Sequence, residues 1–222
     1  MEMLRMDHIT KIYPNGFVAN KDVTFAVNEG EIHSLVGENG AGKTTLMKIL
    51  FGMEDKQGGD IFIREQKVKI TSPLDAISKG VGMVHQHFML LNSLTVAENV
   101  VLGIEPMKNG LFDFEEAVVM TQKIADKYNF ALDARTRVKD LSVGQMQKVE
   151  ILKALIKGAR VLILDEPTAV LTPQETEELF EQLLLLREDG HAIIFISHKL
   201  EEVMRLCSRV TVLRHGYSQG TY

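Results

Sequence analysis

Gly37-Glu38-Asn39-Gly40-Ala41-Gly42-Lys43-Thr44, residues 37–44, fits the pattern G-x-x-x-x-G-K-[ST] at each fixed position. Its flanks agree with it. Residues 31–36 (Glu-Ile-His-Ser-Leu-Val) are short, apolar and β-branched enough to be a buried strand, and 45–51 (Thr-Leu-Met-Lys-Ile-Leu-Phe) have helical periodicity. Glycines at 37, 40 and 42 let successive backbone N–H groups turn inward around the β- and γ-phosphates of a nucleotide, where side chains would block the approach. Lys43 adds a point positive charge, Thr44 offers a hydroxyl to Mg²⁺, and the helix behind them presents the positive end of its dipole. The stretch implies a nucleoside triphosphate held by Gly37, Glu38, Asn39, Gly40, Ala41, Gly42, Lys43, Thr44 and Thr45.

A second stretch completes such a site. Val161-Leu162-Ile163-Leu164-Asp165-Glu166 reads as a buried strand that delivers two carboxylates to its C-terminal end, where phosphates should lie. Asp165 would bind Mg²⁺ directly or through water, and Glu166 would orient or deprotonate the attacking water. An acidic pair at a strand end is also compatible with a simple turn; the phosphate loop in the same chain favours the catalytic reading.

Between and around these stretches the pattern alternates strand and helix. The first thirty residues alternate in a strand-like way (Leu4, Met6, His8, Ile9, then Val23, Phe25, Val27) and predict an antiparallel sheet beside the core. Short strands follow at 60–63, 67–70 and 81–84, with a helix from Pro73 to Ser78 capped by Ser72. From 88 to 158 the pattern is almost wholly helical, clearest at 95–102, 114–128 and 143–157. The core resumes with strands at 161–164, 192–196 and 210–213 and helices at 173–188 and 199–206. This order predicts a doubly wound α/β sheet with its ligand at the C-terminal strand ends.

Composition narrows the class. The 222 residues, 45% of them hydrophobic, suffice for one large α/β domain or a core with a subdomain. No apolar run approaches the ~18 residues of a membrane span, so a membrane role would be peripheral. The sequence shows no secretory leader, which makes the cytoplasm the default expectation. The one cysteine, Cys207, excludes an internal disulfide and fits the apolar pattern of Val203, Leu206 and Val210. A net charge of −5 with dispersed basic residues argues against nucleic acid as the main partner. The histidines, His85 and His87 among them, show no metal-ligand spacing.

Leu141-Ser142-Val143-Gly144-Gln145, ahead of the acidic strand and opening a helix, resembles the signature sequence of ATP-binding cassette (ABC) ATPases, the motors of ABC transporters. The likeness runs from about Leu4 to Tyr222 with the motifs in the family's order. It implies a RecA-like P-loop core with an antiparallel β subdomain and an inserted helical subdomain, the core at about 1–86 and 159–222 and the insert at 87–158. It also implies ATP and Mg²⁺ as ligands, with two ATPs sandwiched between two cassettes. Ser142, Gly144 and Gln145 would then serve the γ-phosphate of the opposing cassette through a hydroxyl, a free N–H and a dipole end.

The resemblance further assigns Gln86 to the glutamine loop that contacts Mg²⁺ and the attacking water, and His198 to the switch histidine that reaches the γ-phosphate. Tyr13 matches the aromatic that stacks on adenine, with Phe17 as a rival. Catalysis would rest on Glu166, His198, Gln86 and Lys43, and the metal on Thr44, Gln86 and Asp165. Two positions depart from the common form. Val143 stands where glycine is usual, and Thr172 stands where the loop after the acidic strand usually ends in aspartate, which puts coupling between two sites in question.

Residues 82–90, 95–99 and 166–173 are similar to the first half of tandem ATPases serving simple-sugar and nucleoside importers, most of all the nucleoside branch. The implied partners are transmembrane permease subunits, a second cassette and, indirectly, an extracytoplasmic substrate-binding protein. The implied place is the cytoplasmic face of a membrane, and the chain would be an isolated first cassette, truncated or shortened. The competing expectation is a soluble ABC ATPase acting on ribosomes or DNA.

Overall fold

The computed structural model describes residues 1–222 except His87. Strands β1 (Glu2–Ile12) and β2 (Val18–Asn28) form an antiparallel hairpin, and β3 (Ile32–Val36) runs into the phosphate loop. Helix α1 (Lys43–Leu50) follows, and then β4 (Gly58–Ile63) and β5 (Gln66–Val68) extend the first sheet to the order β2-β1-β4-β5. Next come α2 (Pro73–Ser78), β6 (Val81–Val84), α3 (Val96–Val100), a small hairpin of β7 (Met107–Lys108) and β8 (Leu111–Phe112), α4 (Phe114–Lys127) and α5 (Val143–Ile156). The chain closes with β9 (Val161–Asp165), α6 (Pro173–Glu188), β10 (Ala192–Ile196), α7 (Leu200–Leu206), β11 (Arg209–Arg214) and β12 (Tyr217–Thr221).

The second sheet has the order β12-β11-β3-β10-β9-β6, parallel except for β12 at its edge. Its central strands are apolar on both faces because both faces are covered. Along β9 and β10 the side chains divide with a period of two. Val161, Ile163, Ala192, Ile194 and Ile196 join a core that holds Leu46, Met47 and the first sheet's Met6, Val23 and Phe25. Leu162, Leu164, Ile193 and Phe195 join the opposite core, against α5 and α6 through Ile151, Leu152, Leu179 and Leu183. Burying each such aliphatic side chain stabilises by about 1.5–3 kcal/mol, so these two layers fix the sheet in place.

The stretch 88–158 departs from its helical expectation at β7 and β8. Asn109 and Gly110 carry φ of +53° and +81°, the two-residue turn that makes a hairpin out of polar and glycine residues. A second hairpin was equally invisible to apolar periodicity: β12 folds back on β11 through His215 and Gly216, at φ +49° and +80°. α1 starts at Lys43, before the apolar pattern begins, because its first turn carries the polar residues that face the loop. The capped start of α2 is as the sequence implies, with the Asp75 N–H donating to Ser72 Oγ at 3.2 Å.

Candidate nucleotide site

Four parallel strands deliver the site. β3 is followed by Gly37, β9 ends in Asp165 and is followed by Glu166, β6 leads to Gln86, and β10 leads to His198. Parallel register puts all four ends on one edge of the sheet: Ile196 lies opposite both Leu35 of β3 and Asp165 of β9. The groove beyond the C-terminal strand ends is where an open α/β sheet binds its ligand.

The phosphate loop is tightly seated. Gly42, at φ +102°, caps the start of α1, and a Cβ there would overlap the Ala19 carbonyl; a Cβ on Gly37 would overlap the Leu213 carbonyl. Glycine is therefore required at both. No side chain caps α1, so the N–H groups of its first turn remain for a ligand. Lys43 is buried, its Nζ donating to the carbonyls of Gly37 at 2.6 Å and Glu38 at 3.1 Å. Burial pulls its pKa below the ordinary lysine value, while the charges of Glu166 and Asp165 oppose that shift. A cavity of about 180 Å³ is lined by the loop residues from Asn39 to Thr45 together with Asp165, Glu166 and Phe17.

Glu166 is held between Gln86 and His198. His198 Nδ1 lies 3.3 Å from one carboxylate oxygen, and Gln86 Nε2 donates to the other at 3.4 Å. Its backbone sits at φ +50°, a left-handed conformation that costs a non-glycine residue about 1–2 kcal/mol and here directs the carboxylate into the site. Asp165 has a pKa raised by burial first and by the Glu166 charge second. Oxygen donors from Thr44, Gln86 and Asp165 suit a hard cation such as Mg²⁺, and the crowding of two carboxylates is what a cation would relieve. Among the described residues no cluster of three His, Cys, Asp or Glu forms a metal cage of its own.

The signature residues lie apart from this cavity and are engaged internally. Ser142 caps α5, accepting from the Gln145 N–H at 3.2 Å, and Gln145 answers by accepting from the Ser142 N–H at 2.9 Å. The Gly144 N–H is not free as the sequence implied: it donates to Glu175 Oε1 at 3.2 Å, the same oxygen that accepts from Ser142 Oγ at 3.2 Å. Thr172 caps α6 in a reciprocal box with Glu175. Thr-x-x-Glu at 172–175 is the sequence signal of that cap.

Tyr13 and Phe17 stack with centroids 6.3 Å apart, but Phe17 alone of the two lines the cavity; Tyr13 Oη donates to Glu54 at 3.4 Å. Sequence reasoning also missed Asn20, a buried polar residue of β2 whose Nδ2 donates to the Gly42 carbonyl at 3.2 Å. Cys207 is half-buried with its thiol pKa pushed up to about 12, the inert packing expected of it. His87 lies outside the described residues.

Comparison with known proteins agrees with this geometry. The ABC transporter family model matches residues 20–169. A guanosine import ATP-binding protein of Bacillus subtilis is 50% identical over 214 residues, 96% of this chain and 42% of that protein. A glucose import ATP-binding protein of Haloferax volcanii is 48% identical over 248 residues, 98% of this chain and 44% of that protein. The chain thus spans less than half the length of these curated relatives. Among solved structures, an ATP-binding cassette of an ABC transporter in its ADP conformation superposes with a TM-score of 0.88 at 26% identity, covering 100% of this chain and 91% of that one. A dimeric bacterial ABC transporter cassette gives 0.82 at 26% identity, covering 99% and 98%. Phosphate loop, acidic strand end, glutamine and histidine converge on one sheet edge within a matched fold, and the chain belongs to the ABC transporter family of ATP-binding cassettes.

Proposed function

We propose that this chain is an ATP-hydrolysing cassette that powers an importer for nucleosides or simple sugars from the cytoplasmic face of a membrane. The observation that carries the reading is Glu166, strained into the site between Gln86 and His198 and beside Lys43. The loop N–H groups and Lys43 bind the β- and γ-phosphates. Glu166 accepts the proton of the attacking water, Gln86 orients that water, and His198 donates to the γ-phosphate. Mg²⁺, held by Thr44, Asp165 and Gln86, would neutralise charge developing on the phosphates when bound. The base stacks on the aromatic pair of Phe17, which lines the cavity, and Tyr13, which stacks on Phe17.

Ser142 and Gly144 serve the ATP of a second cassette, and Glu175 yields its place to that phosphate. Residues 87–158 act as the helical subdomain. What supports docking on a permease is a cleft of about 220 Å³ beside Gln86, lined by Phe51, Ile77, Met83, His85, Met89 and Lys153, with Met89 largely exposed. An extracytoplasmic substrate-binding protein would act through that permease. Relatives named for guanosine and glucose import support a small polar solute. No described helix is long and apolar enough to cross a membrane, which fits a peripheral subunit. The test is mass spectrometry of what co-purifies with the tagged protein from gently solubilised membranes. A multi-spanning permease supports the reading; ribosomes or DNA-binding factors in its place would replace it with a soluble ABC ATPase.

A further inference from the structure

We propose that Asn20 is a positioning residue of the nucleotide site, a buried amide that fixes the start of α1 and with it the ring of N–H groups that meets the phosphates. The inference rests on the reading of 37–45 as the phosphate cradle. Asn20 has no exposed surface, and its Nδ2 donates to the Gly42 carbonyl at 3.2 Å. That carbonyl also accepts the first N–H of the helix, from Leu46 at 2.9 Å. Among the described residues no side chain caps α1, and the Asn20 amide ties its start to β2. Backbone contacts complete the brace: the Gly216 N–H donates to the Ala41 carbonyl at 3.2 Å, and the Lys21 N–H to the Gly216 carbonyl at 2.8 Å. The loop is pressed against β2 and β11, with no room for a Cβ on Gly42 or Gly37.

The other end of the amide makes the case. Asn20 Oδ1 is buried and meets no donor among the described residues, so the residue carries an unmade hydrogen bond that destabilises the fold. Leucine, of similar size, would not carry it. A polar group kept in the interior against folding stability, with its other atom on the phosphate loop, points to ligand binding as its use. Two effects of opposite sign follow. Removing the amide relieves the orphaned oxygen and slackens the loop.

The experiment measures ADP binding by calorimetry and thermal unfolding without nucleotide, on the whole chain and on Asn20→Leu and Asn20→Met. Asn20→Leu should leave the nucleotide-free Tm unchanged or raise it by about 2 to 4 °C, while ADP binds about tenfold more weakly. Asn20→Met, which fills the space without an amide to donate, should lose ADP affinity to the same degree. Should Asn20→Leu not fold, Asn20→Met carries the comparison. ADP affinity within twofold of the unmodified chain overturns the proposal, as does a loss of affinity that runs in parallel with a falling Tm. An unmodified chain that does not bind ADP overturns the phosphate-loop reading itself, and the brace with it.

Discussion

Replacing Glu166 by glutamine separates binding from turnover. The amide has the carboxylate's size, so the placements of 3.3 Å to His198 and 3.4 Å to Gln86 are retained in outline, and the left-handed φ of +50° costs both residues alike. What disappears is the proton acceptor. A positioned general base contributes about 10²–10⁴ in rate, which is about 2.7 to 5.4 kcal/mol of barrier at 1.36 kcal/mol per decade. Affinity should not fall. Glu166 crowds the phosphates with negative charge, so its neutralisation eases anion binding. Phosphate release from Mg·ATP at high protein concentration, measured beside ATP affinity by calorimetry, reads both effects. Glu166→Gly is the control for strain: it should abolish turnover yet add about 1 kcal/mol of stability by relieving the left-handed backbone. Turnover within about threefold of the unmodified chain in Glu166→Gln would refute the assignment.

Three further outcomes are expected. Substituting alanine for the aromatic that stacks on adenine should weaken ATP by about 1 to 3 kcal/mol; titration of a fluorescent ATP analogue into Tyr13→Ala and Phe17→Ala decides between them, and unaltered affinity in both removes the stacking role. Glu175→Gln keeps the Thr172 capping box, since glutamine serves at that position, but withdraws the negative charge from Ser142 and Gly144. ATP-driven association of two cassettes, followed by sedimentation, should then occur at lower ATP, and an unshifted midpoint would show that Glu175 does not compete with phosphate. The buried His33 and His191 have pKa values lowered chiefly by burial. The folded state therefore binds fewer protons than the unfolded one, and stability present above the unfolded value of about 6.5 is lost as pH falls below it, at up to about 1.4 kcal/mol per pH unit for each histidine. Denaturant melts at pH 7.5 and 5.5 that coincide would contradict this.

Periodicity made the parallel sheet legible because β9 and β10 are apolar on both faces and bounded by polar turns. Gln86 and His198 were legible through the family resemblance, and the fold supplies the reason they meet Glu166 without being neighbours in sequence: whatever follows each parallel strand gathers on one edge. Less visible were contacts made by polar residues acting on backbone. Asn109-Gly110 turns a hairpin whose strands are two residues each, too short for any alternation to register. Thr172 stands out in sequence as a departure from aspartate, which hides the helix cap it forms with Glu175. Glu175 reaches the signature helix across 31 positions of chain, and Asn20 reaches Gly42 across 22; nothing local in either segment announces the partner. The adenine aromatic was legible as a pair only, since the two rings stack on one another and the choice depends on which one faces the cavity.

The central claim, that residues 37–45 hold the phosphates of ATP, is tested most directly by calorimetric titration of ATP into the unmodified chain and into Lys43→Ala. Lys43 Nζ sits on the loop carbonyls of Gly37 and Glu38, with Asp165 and Glu166 also lining the cavity, so its removal leaves phosphates and carboxylates without the loop's cation. With charge-assisted hydrogen bonds at about 1.5–3 kcal/mol each and two phosphates to serve, affinity should fall at least about 100-fold. Equal ATP binding by the two proteins would contradict the account.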